Sequence, residues 1–194
     1  MFLPQSFNSL VSTIKPRVNG GFISIAVLKL RCELYDMNYL IIYMSRHGTT
    51  AKVAAELKDK LGSENTVLVD LEKDSMPSLD EFRTVIIGGS VHAGTIQQEL
   101  TTFCVKNKGE LLKKRLGLFM CYMNNDLRDL EFEDSFPVDL RKHAIARGMV
   151  GGEFLIEKMT ESEKKVVKNV KGVYESVYRL DKNAVRLFIE DIKE

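Results

Sequence analysis

The chain contains no tryptophan, three cysteines, three histidines and four prolines in 194 residues, and its formal net charge is only +1. Cys32, Cys104 and Cys121 form no C-x-x-C pair and show no metal-type spacing, which fits a reducing, cytoplasmic setting. His47, His92 and His143 are too scattered to suggest a metal cluster. The near-zero charge argues against general nucleic-acid binding. No run of 18 apolar residues exists, so no segment reads as membrane-spanning. Neither G-x-x-x-x-G-K-[ST] nor G-x-G-x-x-G occurs, which removes Walker-type and dinucleotide loops. Ser90 follows an apolar run as a hydrolase nucleophile would, but no G-x-S-x-G elbow surrounds it and no acid partner can be assigned.

What is present is a hydrophobic fraction of 44%, enough for a packed core. It is organised around residues 39–61, YLIIYMSRHGTTAKVAAELKDKL. Leu40, Ile41 and Ile42 predict a strand buried on both faces of a parallel sheet. Val53, Ala54, Leu57 and Leu61 recur at helical spacing, with Thr49 or Thr50 placed to cap the helix. Between them lie Ser45, Arg46, His47, Gly48, Thr49 and Thr50. A hydroxyl- and glycine-bearing loop at a helix N-terminus is a cradle for a phosphate monoester, because free amides and the positive end of the helix dipole point into it. An ordinary capped strand-to-helix turn is the alternative reading of the same residues.

Downstream the pattern alternates. Residues 66–71 (TVLVDL), 84–89 (TVIIGG), 116–121 (LGLFMC) and 149–154 (MVGGEF) predict four further strands. Helices are expected over 95–107, from 134–137 to about Arg147 with Gly148 closing it, and from an Asp181 cap to about Ile192. A short helix or turn is expected over 78–83. Five strands alternating with helices predict an α/β doubly wound parallel sheet of order 2-1-3-4-5. Ligands bind such sheets off the carboxyl ends of the strands, where the order reverses. The loops there hold Ser45 to Thr50, then Ser90, Val91, His92, Ala93 and Gly94, then Tyr122, Met123 and Asn124. Residues 1–36 differ in character: they read as a loose extension, possible as an artefact of the assumed translation start, with the fold over 37–194. Residues 22–30 within them read as a strand or the core of a weak targeting signal.

Taken together, residues 39–61, 85–103 and 118–124 resemble the flavodoxins, and are most similar to the branch of bacterial quinone-dependent protoporphyrinogen oxidases. Flavodoxins carry [ST]-x-T-G-x-T in the phosphate loop and the oxidase branch T-R-D-G-x-T. This chain keeps the hydroxyl at Ser45, Arg46, Gly48 and Thr50, with His47 in place of Thr or Asp. The resemblance covers nearly all of 37–194 and none of 1–36. It implies FMN, with the phosphate on Ser45 to Thr50 and the ring between Ser90 to Gly94 and Tyr122 to Asn124.

The absent tryptophan removes the usual stacking residue, and Tyr122, ahead of His92, is expected to replace it. Setting aside Lys15, Arg17, Lys29, Arg31, Glu33 and Asp36 leaves 24 basic and 25 acidic residues over 37–194. Carrier flavodoxins are strongly acidic and steer towards basic partners, so neutrality favours the enzyme branch. Residues 155–179 exceed what a minimal fold needs. Met159, Val166, Val170 and Val173 lie opposite Lys164, Lys165, Lys168 and Lys171, which predicts a basic amphipathic helix. Over 160–171 it would meet anionic lipid at the inner membrane face or a tetrapyrrole carboxylate, or else pack on the sheet. The expectation is an FMN-dependent oxidoreductase passing electrons to a quinone or other redox partner. A non-catalytic electron carrier is the alternative.

Overall fold

A computed structural model describes residues 39–194. The expectations for residues 1–36, and for a fold start at Met37, lie outside the described residues. The strands of the main sheet are β1 (Tyr39–Tyr43), β2 (Thr66–Asp70), β3 (Thr84–Ser90), β4 (Arg115–Cys121) and β5 (Ala146–Met149), all parallel. Their order is β2-β1-β3-β4-β5, as the sequence predicts.

The all-apolar strands follow from burial on both sides. Leu40 and Ile42 pack with Val85, Ile87, Leu116 and Leu118 in one layer, whereas Ile41 packs with Ile86 and Phe119 in the other. The second layer is closed by α1 (Thr49–Leu61), through Val53, Ala54, Leu57 and Leu61, and by the C-terminal helix Lys182–Lys193 through Val185, Phe188, Ile189 and Ile192. The first is closed by α2 (Gln98–Lys106), α3 (Lys108–Leu111), α4 (Arg128–Ser135) and α5 (Val138–His143).

The helix expected from residue 134 to Arg147 is instead two. Phe136 and Pro137 are extended (ψ 139 and 138), because a residue before proline is pushed out of the helical region, and this separates α4 from α5. Nor does Gly148 close a helix. It lies in β5 opposite Phe119 of β4, where a Cβ would come within 2.9 Å of the Phe188 ring. Alanine and arginine read locally as helix formers, and pairing with β4 overrides them.

The fifth strand therefore spans Ala146–Met149 rather than 149–154. At Gly151 (φ 71) the chain leaves the sheet and forms β6 (Gly151–Phe154), which pairs antiparallel with β7 (Val177–Leu180). Between them run a 3-10 turn, Ile156–Lys158, and α6 (Glu161–Lys171). Met159 and Val173, read from spacing as part of this helix, flank it. The capping box of Thr160 with Glu163 starts α6, and Gly172 (φ 64) ends it. β7 escaped sequence reading because it is an edge strand with Tyr178 and Arg179 exposed, so it carries no buried alternation. Asp181 caps α7 (Lys182–Lys193) as predicted, accepting from the amides of Asn183 and Ala184. Among the described residues no helix is long and apolar enough to cross a membrane.

Candidate functional site

The loop after β1 is shaped by Gly48, which precedes α1 with φ 98 and ψ −11 and no side-chain cap. Its amide donates to Ser45 Oγ at 3.1 Å, so Ser45 closes the loop. The expectation that Thr49 or Thr50 caps the helix is corrected. Both occupy the first turn, because the position before it has a left-handed backbone that favours glycine. Both hydroxyls are buried without a nitrogen or oxygen partner, and Thr50 has only the weak Cys121 thiol beside it. A buried hydroxyl left unsatisfied costs about 1–3 kcal/mol. Two of them beside the unpaired amides of a helix's first turn are a cradle built for an anion.

The second loop turns back tightly. Ala93 (φ 55) and Gly94 (φ 96) form a two-residue turn closed by the His92 amide donating to Thr95 O at 2.7 Å. Gln97, which sequence reasoning missed, braces this loop. Its Oε1 accepts from the Ser90 amide at 3.2 Å, and its Nε2 donates to Ser90 Oγ at 2.8 Å. That leaves the Ser90 hydroxyl proton available to His92 Nε2, 3.1 Å away. Burial, then the neighbouring His47 and Arg46, hold the His92 imidazole below its ordinary pKa, so it is neutral at pH 7. The His47 and His92 rings lie 5.9 Å apart at 59°.

At the third loop the Tyr122 amide donates to Gly151 O at 2.9 Å, tying the end of β4 to the start of β6. Tyr122 is only 8% exposed and belongs to the core layer with Phe132 and Phe136. Asn124 Oδ1 accepts from the Asp126 amide, which fixes that turn. Burial pushes the Cys121 thiol up to about 12, although Thr50 beside it pulls slightly the other way, so it is not a reactive thiolate.

These loops meet around a cavity of about 470 Å³, a size usual for a small-molecule site. Ser45, Arg46, His47, Thr49 and Thr50 line it at one end. Ser90, Val91, His92, Ala93 and Gly94 line it from the second loop, and Tyr122, Met123 and Asn124 from the third. Gly48 does not line it and acts through the backbone. Phe154 from β6, Met159, and Val166 and Val167 from α6 add an apolar surface to the lining; the sequence marks Met159 and Val166 as an apolar stripe but not as part of the site. Glu131, Glu153 and Glu163 also face the cavity, and Glu153 is paired with Lys52 at 2.8 Å. The spacing of Met159 and Val166 signals an apolar stripe, but that it meets loops more than a hundred positions away is settled only by the fold. α6 stands over the cavity and reaches the first loop through Glu163.

Glu163 carries a strongly perturbed carboxyl in the cavity lining. Its Oε2 accepts from the Thr160 amide at 2.8 Å and hydroxyl at 2.9 Å. Its Oε1 lies 2.9 Å from Arg46 Nε, and Oε2 lies 3.4 Å from His47 Nε2. The Thr160 bonds above all, then His47 and Arg46, pull its pKa down to about 2 from 4.5. Because the folded state binds this proton less tightly than the unfolded chain, the contact stabilises fully above about pH 4.5 and fades as pH falls towards 2. Glu163→Gln should flatten that part of the stability–pH curve in urea titrations. An unchanged curve would mean that Glu163 is not ionised through this contact.

A family model described as flavodoxin domain matches residues 40–176. No curated protein sequence matches the chain. Among solved structures, the rubredoxin oxygen:oxidoreductase of Desulfovibrio gigas aligns at TM-score 0.49 and 14% identity over 87% of this chain, which spans 40% of that protein's length. A flavodoxin from the domain Archaea aligns at TM-score 0.46 and 14% identity, over 81% of this chain and 99% of that one. A flavoprotein from Lactobacillus acidophilus, solved in complex with FMN, aligns at TM-score 0.41 and 14% identity, over 59% and 91%.

Proposed function

The chain belongs to the flavodoxin domain family, and from that premise we propose that it is an FMN-dependent oxidoreductase. The observation that carries this reading is the pair of buried hydroxyls of Thr49 and Thr50 at the opening of α1, which have no nitrogen or oxygen partner and fit a phosphate monoester. Bound there, FMN would supply two-electron chemistry at its ring. The Ser45 to Thr50 loop would hold the phosphate. The backbones of Ser90 to Gly94 and of Tyr122 to Asn124 would flank the ring, with His92 as the less buried of the two candidate stacking residues. Ser90, fixed by Gln97, would keep the His92 ring oriented.

The apolar side chains of Phe154, Met159, Val166 and Val167 support an enzyme over a carrier, because they come from outside the three loops and would offer a second molecule an apolar surface in the cavity. The finer reading is oxidation of a tetrapyrrole such as protoporphyrinogen, with a quinone or another redox partner as acceptor and peripheral membrane contact through 160–171. It rests on the sequence resemblance and enters the test as one arm. Purified protein should be yellow and release FMN on acid denaturation, and the reduced flavin should be reoxidised by quinones. A protein that binds no flavin even after reconstitution overturns the reading. Flavin without turnover on any donor leaves the carrier.

Thr50→Val separates phosphate binding from folding. Valine keeps the shape and removes a buried hydroxyl whose one neighbour is the weak Cys121 thiol, so the flavin-free protein should lose no stability in urea unfolding. FMN affinity should fall about tenfold with the lost donor, and riboflavin affinity should stay as it was. Equal losses for both flavins would place the phosphate elsewhere.

A further inference from the structure

We infer that Glu163 is a built-in anion that competes with the ligand's phosphate for Arg46 and His47, so that flavin loading is coupled to the seating of α6. The inference rests on the flavin reading above and concerns how that same site is regulated. The phosphate loop has two kinds of donor. The neutral ones, the Thr49 and Thr50 hydroxyls and the first-turn amides of α1, have no protein partner among the contacts seen for those hydroxyls. The other two, the Arg46 guanidinium and the His47 ring, already contact Glu163. Arg46 Nε lies 2.9 Å from Glu163 Oε1 and His47 Nε2 lies 3.4 Å from Oε2, all within the lining of the one cavity.

Glu163 is not a passing surface partner. Its Oε2 is held by both the amide and the hydroxyl of Thr160, so the side chain is fixed by the helix that carries it. A carboxylate so placed neutralises the loop's charge before any ligand arrives. A phosphate dianion entering the cradle meets Glu163 as a like charge and must share or take Arg46 and the His47 ring. The site is thereby tuned to release as well as to bind, and the outcome of the competition is transmitted to α6 and its cavity-lining Val166 and Val167.

Glu163→Gln is the direct test, because glutamine also completes a capping box through its oxygen, while its amide nitrogen is a donor and no longer accepts from Arg46. FMN and riboflavin dissociation constants would be measured by flavin fluorescence quenching on wild type, Glu163→Gln, Arg46→Ala and the double variant. FMN should bind Glu163→Gln about tenfold more tightly than wild type, the weight of one charge-assisted bond to phosphate, with riboflavin unchanged. Arg46→Ala should weaken FMN binding in both backgrounds, because Arg46 both serves the phosphate and offsets Glu163, and it should remove most of the tenfold gain of Glu163→Gln. Unchanged or weaker FMN binding in Glu163→Gln, with wild type still binding FMN, overturns this inference alone and would make Glu163 a positioning residue for Arg46. Failure of the wild type to bind either flavin overturns the flavin reading and this inference with it.

Discussion

Gly48→Val should lower FMN affinity by roughly 30-fold, since a non-glycine residue held at such a backbone angle is strained by about 1–3 kcal/mol. The cause is not crowding. A Cβ on Gly48 would meet only the mobile end of Lys158, 3.2 Å away, and the residue does not line the cavity. What valine cannot keep is φ 98 with ψ −11, the geometry that aims the first amides of α1 into the site and lets the Gly48 amide reach Ser45 Oγ. In the flavin-free protein the loop can relax at little expense, so the melting temperature should barely move. Re-forming the cradle around a phosphate then carries the full strain. Riboflavin, which has no phosphate, should lose much less. Flavin fluorescence titrations with a thermal melt decide the matter. FMN binding as tight as wild type would leave the phosphate without the cradle described for it.

Gly151→Ala should have the larger effect on stability, a loss of roughly 3 kcal/mol from left-handed strain together with overpacking. For a chain of this size that corresponds to a fall in melting temperature of about 10 °C. Gly151 has φ 71, and a Cβ there would lie 2.0 Å from the backbone oxygen of Arg179, which cannot turn aside as a side chain does. The same residue accepts from the Tyr122 amide and pairs with Leu180. Strain at this point therefore parts β6 from β7 and withdraws Phe154 from the cavity wall. Gly172→Ala is the control. Its φ is 64, but nothing lies within 4 Å of the added methyl, so it should cost only about 1 kcal/mol. If the two variants unfold alike, the backbone contact at Gly151 is not what holds the junction.

The sequence by itself determined the five-stranded order and the three loops at the strand ends. Those features are written in local signals: short apolar runs such as Leu40 to Ile42, helical spacing such as Val53 to Leu61, and Gly48 between hydroxyls. It also placed Asp181 as a cap, because capping depends on a residue and its next three neighbours. The tertiary structure alone decided where β5 ends, since Ala146 and Arg147 read as helix until β4 offers them a pairing edge. It alone made Gly148 a contact surface for Phe188, and it alone raised β7 from a polar stretch with no periodicity. Above all it brought Glu163 to Arg46 and His47, and Gln97 to Ser90. Charge and amide partners of this kind leave no spacing rule in a chain, because their meeting depends on where a whole helix comes to rest.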